Sequence, residues 1–314
     1  MQTDEPVIEV TSLGKDFPGR KVLDDLTFSV HKGEVFGFLG PNGAGKTTTM
    51  RILLGLLLPT SGTATVLGSD LSMDDEARKR VGVLMENNGL YDRLTARENL
   101  TYYARLYDVA RPAERVAELL DFVGLTDRGD DLVGKYSTGM KRKLGIARAI
   151  LHEPEIVFLD EPTSGLDPEA QHRVRELILG LSHEGSMTVF LNSHNLDEVQ
   201  RICSRVAILF QGRIRALDSV RHLTAAGKKN GFSVTLADPS QAGEAGRILS
   251  SIAGIEDLSD KGSILEMVLA TVSSHEVIAA LVTGGILVDE ARIQRRSLED
   301  IYLDVMRQAG GGDV

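Results

Sequence analysis

The sequence predicts a layered α/β domain on a mostly parallel sheet, followed by a smaller α+β domain. Three observations carry this expectation. Strand-like and helix-like segments alternate from residue 35 to residue 191. The apolar run Val35-Phe36-Gly37-Phe38-Leu39 leads directly into a glycine-rich turn and then a helical stretch. After about Ala226 the text changes, with Gly227-Lys-Lys-Asn-Gly231 reading as a polar linker. A length of 314 residues suits one large and one small domain, here residues 1–226 and 227–314, with a helical insertion at about 87–152.

Element by element, residues 7–10 and 22–30 read as strands; in the second, Leu26, Phe28 and Val30 alternate with Thr27 and Ser29. They suggest an antiparallel addition at the N-terminus. Residues 35–39 have the continuous apolar character of a strand buried on both faces. A helix over 47–58 precedes a turn at 59–62, then strands over 63–67 and 81–85. Helical spacing covers 95–106, 112–123 and 137–152, followed by strand 155–159, helix 168–183 and strand 187–191. In the second domain, strand 232–236, helix 241–253, strands 255–258 and 264–270, helix 274–282 and strand 286–293 follow the β-α-β-β-α-β order of a ferredoxin-like unit. A final helix covers 298–308, and the glycines at 310–312 are expected to fray.

Composition is that of a soluble globular protein, 42% hydrophobic and 25% charged. The longest apolar run, residues 52–58, is far short of a membrane span. No basic region followed by an apolar segment opens the chain, so no secretory signal is expected. The single Cys203 cannot pair internally, which fits a reducing cytosol, and reads as a small core residue. Net charge is 35 − 45 = −10, which argues against a nucleic-acid surface. Any anion site must therefore be locally positive. The densest basic cluster, Lys141-Arg142-Lys143, reads as a solvated helix face.

The chemistry concentrates at strand ends. Gly40, Pro41, Asn42, Gly43, Ala44, Gly45, Lys46, Thr47 and Thr48 form a Gly-x4-Gly-Lys-Thr phosphate loop in the strand–loop–helix context that the motif needs. Glycines let backbone N–H groups converge on phosphate, and the following helix points its positive end at the same anion. Lys46 can reach the β- and γ-phosphates of ATP, and the Thr47 hydroxyl can ligate Mg²⁺. A second apolar strand ends in Asp160 and Glu161; Asp160 suits the Mg²⁺ shell opposite Thr47, and Glu161 can orient or deprotonate an attacking water. His194 follows a third, where an imidazole can contact the γ-phosphate and sense its loss. His31, His152, His172, His183, His222 and His275 lack such a setting and read as surface or packing residues. Ser137 is a good N-cap, so the helix it opens offers a second anion site.

In this order the pieces resemble the ATP-binding cassette (ABC) family. Residues 40–48 resemble its Walker A loop and 157–161 its Walker B strand, with Glu161 in the catalytic position. Ser164-Gly-Leu-Asp167 is similar to the D-loop and Asn192-Ser-His194 to the switch histidine, while Phe17 stands where an aromatic residue stacks on adenine. Tyr136-Ser137-Thr138-Gly139-Met140 occupies the signature position, usually Leu-Ser-Gly-Gly-Gln; Thr138 and Met140 depart from it. Glu86 stands where the family usually has the Q-loop glutamine and offers Mg²⁺ a charged oxygen instead of a neutral one, which predicts a tighter metal dependence.

The resemblance implies an ATP- and Mg²⁺-dependent ATPase in which two chains pair head to tail, the signature of one closing on ATP held by the other. It implies separate membrane permease subunits, gripped around residues 86–99, and a peripheral place on the cytoplasmic membrane face. The tail resembles the accessory domain of bacterial drug- and antibiotic-efflux ATPases, which favours export. The alternative is a soluble ABC ATPase acting on ribosomes or DNA, but neither a second cassette nor a coiled-coil insertion is present, and the acidic balance disfavours nucleic acid. A binding-only protein would not need Glu161.

Overall fold

The computed structural model describes residues 6–183, 187–226, 230–294 and 297–310; of the expected linker at 227–231, residues 227–229 lie outside them and Asn230 and Gly231 open a strand, and the glycines at 311 and 312 also lie outside. Contacts divide the chain between Val220 and Arg221, with the end of the last helix from Val305 falling in the first unit.

In the first unit, β1 (Pro6–Phe17) and β2 (Arg20–His31) pair as an antiparallel hairpin. β1 runs well past residue 10 because bulges beside the positive-φ Ser12 absorb the irregularity without ending the pairing, which carries Phe17 to the hairpin tip. β3 (Val35–Leu39), buried throughout, precedes α1 (Lys46–Leu53). The helix expected over 47–58 is thus shorter. Gly55, at φ 68, closes a Schellman cap in which Leu56 N–H donates to Arg51 O and Gly55 N–H to Ile52 O, both at 2.9 Å. β4 (Ser61–Val66), the single turn α2 (Asp75–Arg78) and β5 (Val81–Leu84) follow. α3 (Ala96–Leu106) starts at a Thr95/Glu98 capping box, α4 (Pro112–Phe122) has proline in its first turn, and α5 (Thr138–Ala149) is capped by Ser137. Next come β6 (Ile156–Asp160), α6 (Pro168–His183) and β7 (Thr188–Ser193). Periodicity names no element over 195–226. There the chain forms α7 (Leu196–Ile202), β8 (Arg205–Phe210), β9 (Arg213–Ser219) and α8 (Val220–Ala226), each only six or seven residues long and so too brief to declare a period.

The main sheet has the order β5-β6-β7-β3-β8-β9 and is parallel except where β9 joins β8; a second, antiparallel sheet has the order β2-β1-β4. The core lies between the two sheets. Phe28 of β2 stacks on Phe36 of β3 at 5.7 Å, and Phe190 of β7 packs against Phe38 at 5.5 Å and Phe158 at 5.3 Å. Burial on both faces explains why β3, β6 and β7 read as near-continuous apolar runs.

The second unit takes in α8 from Arg221 onward, β10 (Asn230–Leu236), α9 (Ala242–Ser250), β11 (Ile255–Asp260), β12 (Ile264–Leu269), α10 (Ser274–Thr283), β13 (Val288–Gln294) and α11 (Leu298–Gly310) as far as Asp304. Its sheet is antiparallel in the order β11-β12-β10-β13, the ferredoxin-like arrangement expected. Phe232, Val234, Leu265 and Met267 pack with Ala245 and Leu249 of α9 and Val277 and Leu281 of α10.

Candidate active site

β6, β7 and β3 lie side by side and run parallel, so their C-terminal ends meet at one edge, and the chemistry collects there. Beyond β3 only glycine fits at position 40, where a Cβ would lie 2.4 Å from Leu209 O; Gly45 takes φ 113 to open α1. This turn folds Lys46 inward until it is 7% exposed. Its Nζ donates to Gly40 O at 2.7 Å and Pro41 O at 3.4 Å, and lies 3.7 Å from Glu161 Oε1. Burial pulls the Lys46 pKa down, while Glu161 and Asp160 oppose that shift. A phosphate oxygen would offer this ammonium a full charge where the loop carbonyls offer only a partial one.

Asp160 ends β6 and is buried; Asn192 of β7 donates from Nδ2 to its Oδ1 at 3.1 Å. Burial pushes the Asp160 carboxyl pKa up, the Asn192 hydrogen bond acts the other way, and the neighbouring Glu161 adds to the rise. Glu161 turns the chain at φ 50, a left-handed conformation that costs an L-residue roughly 1–2 kcal/mol. Its N–H donates to Asn192 O at 2.9 Å, and His194 Nδ1, just past β7, lies 2.7 Å from its Oε2.

One cavity of about 760 Å³ has Phe17, Pro41, Asn42, Gly43, Gly45, Lys46, Thr47, Thr48, Glu86, Asp160, Glu161 and His194 on its wall, together with Pro18, Arg20, Val22 and Ser164. That volume suits a nucleotide. Thr47 and Asp160 give it hard oxygen donors of the kind Mg²⁺ takes. Among the described residues no group of three or more His, Cys, Asp or Glu could cage a metal. Two protein oxygens fit an ion that completes its shell with phosphate and water.

Other sequence-predicted residues lie elsewhere. Gly40 and Ala44 are buried behind the cavity and are not on its wall. Ser137, Thr138, Gly139 and Met140 do not line it either. They open α5, with Ser137 and Thr138 exposed and Ser137 Oγ accepting from Met140 N at 3.3 Å. Asp167 is exposed and caps α6 by accepting from Ala170 N at 2.9 Å. His152 packs against Tyr107 with ring centroids 4.3 Å apart, His172, His222 and His275 are exposed, and the His183 side chain falls outside the described residues.

The solvated reading of the basic cluster is corrected at its centre. Arg142 is 5% exposed, and its guanidinium is enclosed by the carbonyls of Met85, Asp160, Glu161 and Pro162. The signal was present: Arg142 lies four and seven residues before Ile146 and Ala149, which puts it on the buried stripe of α5. Lys141 and Lys143 lie off that stripe; Lys141 Nζ pairs with Asp92 at 2.7 Å. Two more supporting roles escaped sequence reasoning. Asn192 holds Asp160, and buried Glu198 accepts from Ser193 Oγ at 2.6 Å directly behind His194 in the chain. Both are polar residues that only tertiary contact explains.

Fold and cleft together define a P-loop ATPase cassette. The family profile described as ABC transporter matches residues 23–164. The bacitracin transport ATP-binding protein BcrA of Bacillus licheniformis is 36% identical over 310 residues, spanning 98% of this chain and 99% of its own length. The daunorubicin/doxorubicin resistance ATP-binding protein DrrA of Streptomyces peucetius is 40% identical over 251 residues, 79% of this chain and 76% of that protein. A solved ATP-binding subunit of an ABC transporter superposes with a TM-score of 0.63 at 32% identity, over 70% of this chain and 92% of its own. The chain belongs to the ATP-binding proteins of ABC transporters, and with that family it binds ATP and is an ATPase. Among its described residues no helix is long and apolar enough to cross a membrane.

Proposed function

We propose that this chain hydrolyses ATP to drive export of an antibiotic- or drug-like solute through separate permease subunits, closing as a homodimer around two ATP molecules. Phe17 stacks on adenine, residues 40–48 cradle the phosphates, and Lys46 exchanges its loop carbonyls for phosphate oxygens. Thr47 and Asp160 would hold Mg²⁺, with Glu86 as a further oxygen donor, and the ion would offset the phosphate charge. Glu161 takes the proton of the attacking water. His194 orients its carboxylate and meets the γ-phosphate. Ser137, Thr138, Gly139 and Met140 of the second copy complete each site, with Asp167 at the same seam.

The observation that carries this reading is a division of labour. On the cavity wall Glu161 is in contact with both Lys46 and His194, while the exposed, capped start of α5 is not on it. One chain thus offers an acid–base half, and a second copy can donate a helix N-terminus to the phosphates.

Export is supported by relatives named for bacitracin transport and for daunorubicin/doxorubicin resistance. For the permease we assign the tyrosine cluster on α3 and the loop before it. Tyr91 and Tyr102 are 5.2 Å apart, Tyr102 and Tyr103 5.3 Å, and Tyr91, Tyr102, Leu106 and Tyr107 are all exposed. Aromatic surfaces of this kind are enriched at protein interfaces. The chain then works at the cytoplasmic membrane face, and the 227–314 domain is an accessory element.

Replacing Glu161 with Gln should lower turnover by about 10²–10⁴-fold and leave an ATP-bound dimer on gel filtration. A variant that stays monomeric with ATP and turns over at the parent rate would overturn the assignment.

A further inference from the structure

Arg142 is buried in the second turn of α5, the helix that Ser137 opens. A guanidinium carries five N–H donors in a rigid fork, and here each has an acceptor. Nε donates to Pro162 O at 2.9 Å, Nη1 to Met85 O at 3.1 Å and Asn88 Oδ1 at 2.9 Å, and Nη2 to Asp160 O at 2.9 Å and to Glu161 O. Two strand ends are therefore tied to one helix. Met85 and Asn88 bracket Glu86, and residues 160–162 carry the acidic pair.

Glu161 is where this matters. Its left-handed backbone is unfavourable for a residue with a Cβ and persists only if its surroundings over-determine it. Asn192 O holds its N–H, and Arg142 holds its carbonyl. The side chain of Arg142 itself is not on the cavity wall.

We infer that Arg142 is a positioning residue for hydrolysis, locking Glu161 in its left-handed conformation and fixing its spacing from Glu86, so that the helix that opens at Ser137 is mechanically joined to the catalytic edge of its own chain. The inference rests on Glu161 acting as the base. Lysine cannot replace the fork, because its three donors radiate from one nitrogen and cannot span five acceptors on two strand ends.

The test uses the full-length chain. Steady-state ATPase kinetics are compared for the parent, Arg142→Lys and Asn88→Ala, with equilibrium binding of trinitrophenyl-ATP measured in EDTA. Arg142→Lys should lower kcat by about fivefold or more, with KM for ATP and trinitrophenyl-ATP affinity changed by less than about threefold. Asn88→Ala, which removes one acceptor of five, should lower kcat by about twofold or more at unchanged KM. A smaller loss of kcat in Arg142→Lys overturns the inference. So does a larger fall in nucleotide affinity, which would make Arg142 a determinant of pocket shape. Should Arg142→Lys fail to fold in a thermal melt, Asn88→Ala decides by the same criteria. Parent-like turnover by Glu161→Gln would instead remove the base assignment, whatever Arg142 does.

Discussion

At the scale of single residues, the site accepts a stability cost. Asp160 is buried and beside a second carboxylate, and its pKa is raised above the ordinary value of 3.8, chiefly by burial. An acid with a raised folded pKa binds protons more tightly folded than unfolded, so its charge weakens the fold as pH rises through the interval between the two values. Asp160→Asn should therefore stabilise the nucleotide-free protein at pH 7. The gain should vanish below pH 3.8, where the parent carboxyl is neutral in both states. Chemical denaturation at the two pH values measures this, and ATPase activity should be lost. Arg142 is the complementary case. Its charge suggested solvent, but its place on the stripe with Ile146 and Ala149 pointed inward, and the fold followed the stripe.

At the scale of elements, α5 shows how one helix serves two purposes. Its first turn is exposed and capped by Ser137, and its later turns bury Leu144, Ile146 and Ala147. The cap satisfies one of the helix's free N–H groups, so Ser137→Ala should cost about 1 kcal/mol in stability. The proposed role in closing the partner site predicts more: turnover should collapse while trinitrophenyl-ATP affinity of the lone chain stays the same. A variant that loses stability but keeps turnover would leave Ser137 with the cap alone. α1 gives a different lesson. Its apolar text continues to Leu58, but Gly55 is the residue able to take the left-handed turn, and its packing against the backbone of Leu71 and Ser72 ends the helix there.

At the scale of the whole molecule, the sheet order decides which motifs meet. β7 lies between β3 and β6, so Asn192 and His194 are delivered between the phosphate loop and the acidic pair although more than thirty residues separate them from Glu161 in the chain. A chain with net charge −10 can still take up a polyanion because Lys46 and the loop amides offer phosphate a set of donors at this edge. If two copies supply complementary halves, specific ATPase activity should rise with protein concentration and level off as dimer forms. A rate per chain that is constant from nanomolar to micromolar protein would contradict the paired site.

Local chemistry made much of this legible in advance. A Gly-x4-Gly-Lys-Thr loop between a buried strand and a helix needs only its neighbours to define an anion site, and the six-element pattern of the second unit needs only strand and helix periods. Arg142, Asn192 and Glu198 are different. Each is a polar residue whose partners come from other strands or loops, so its burial depends on which segments the sheet brings alongside. Periodicity reports which face of an element is inward; it cannot report what waits there, because that is set by contacts between residues far apart in the chain.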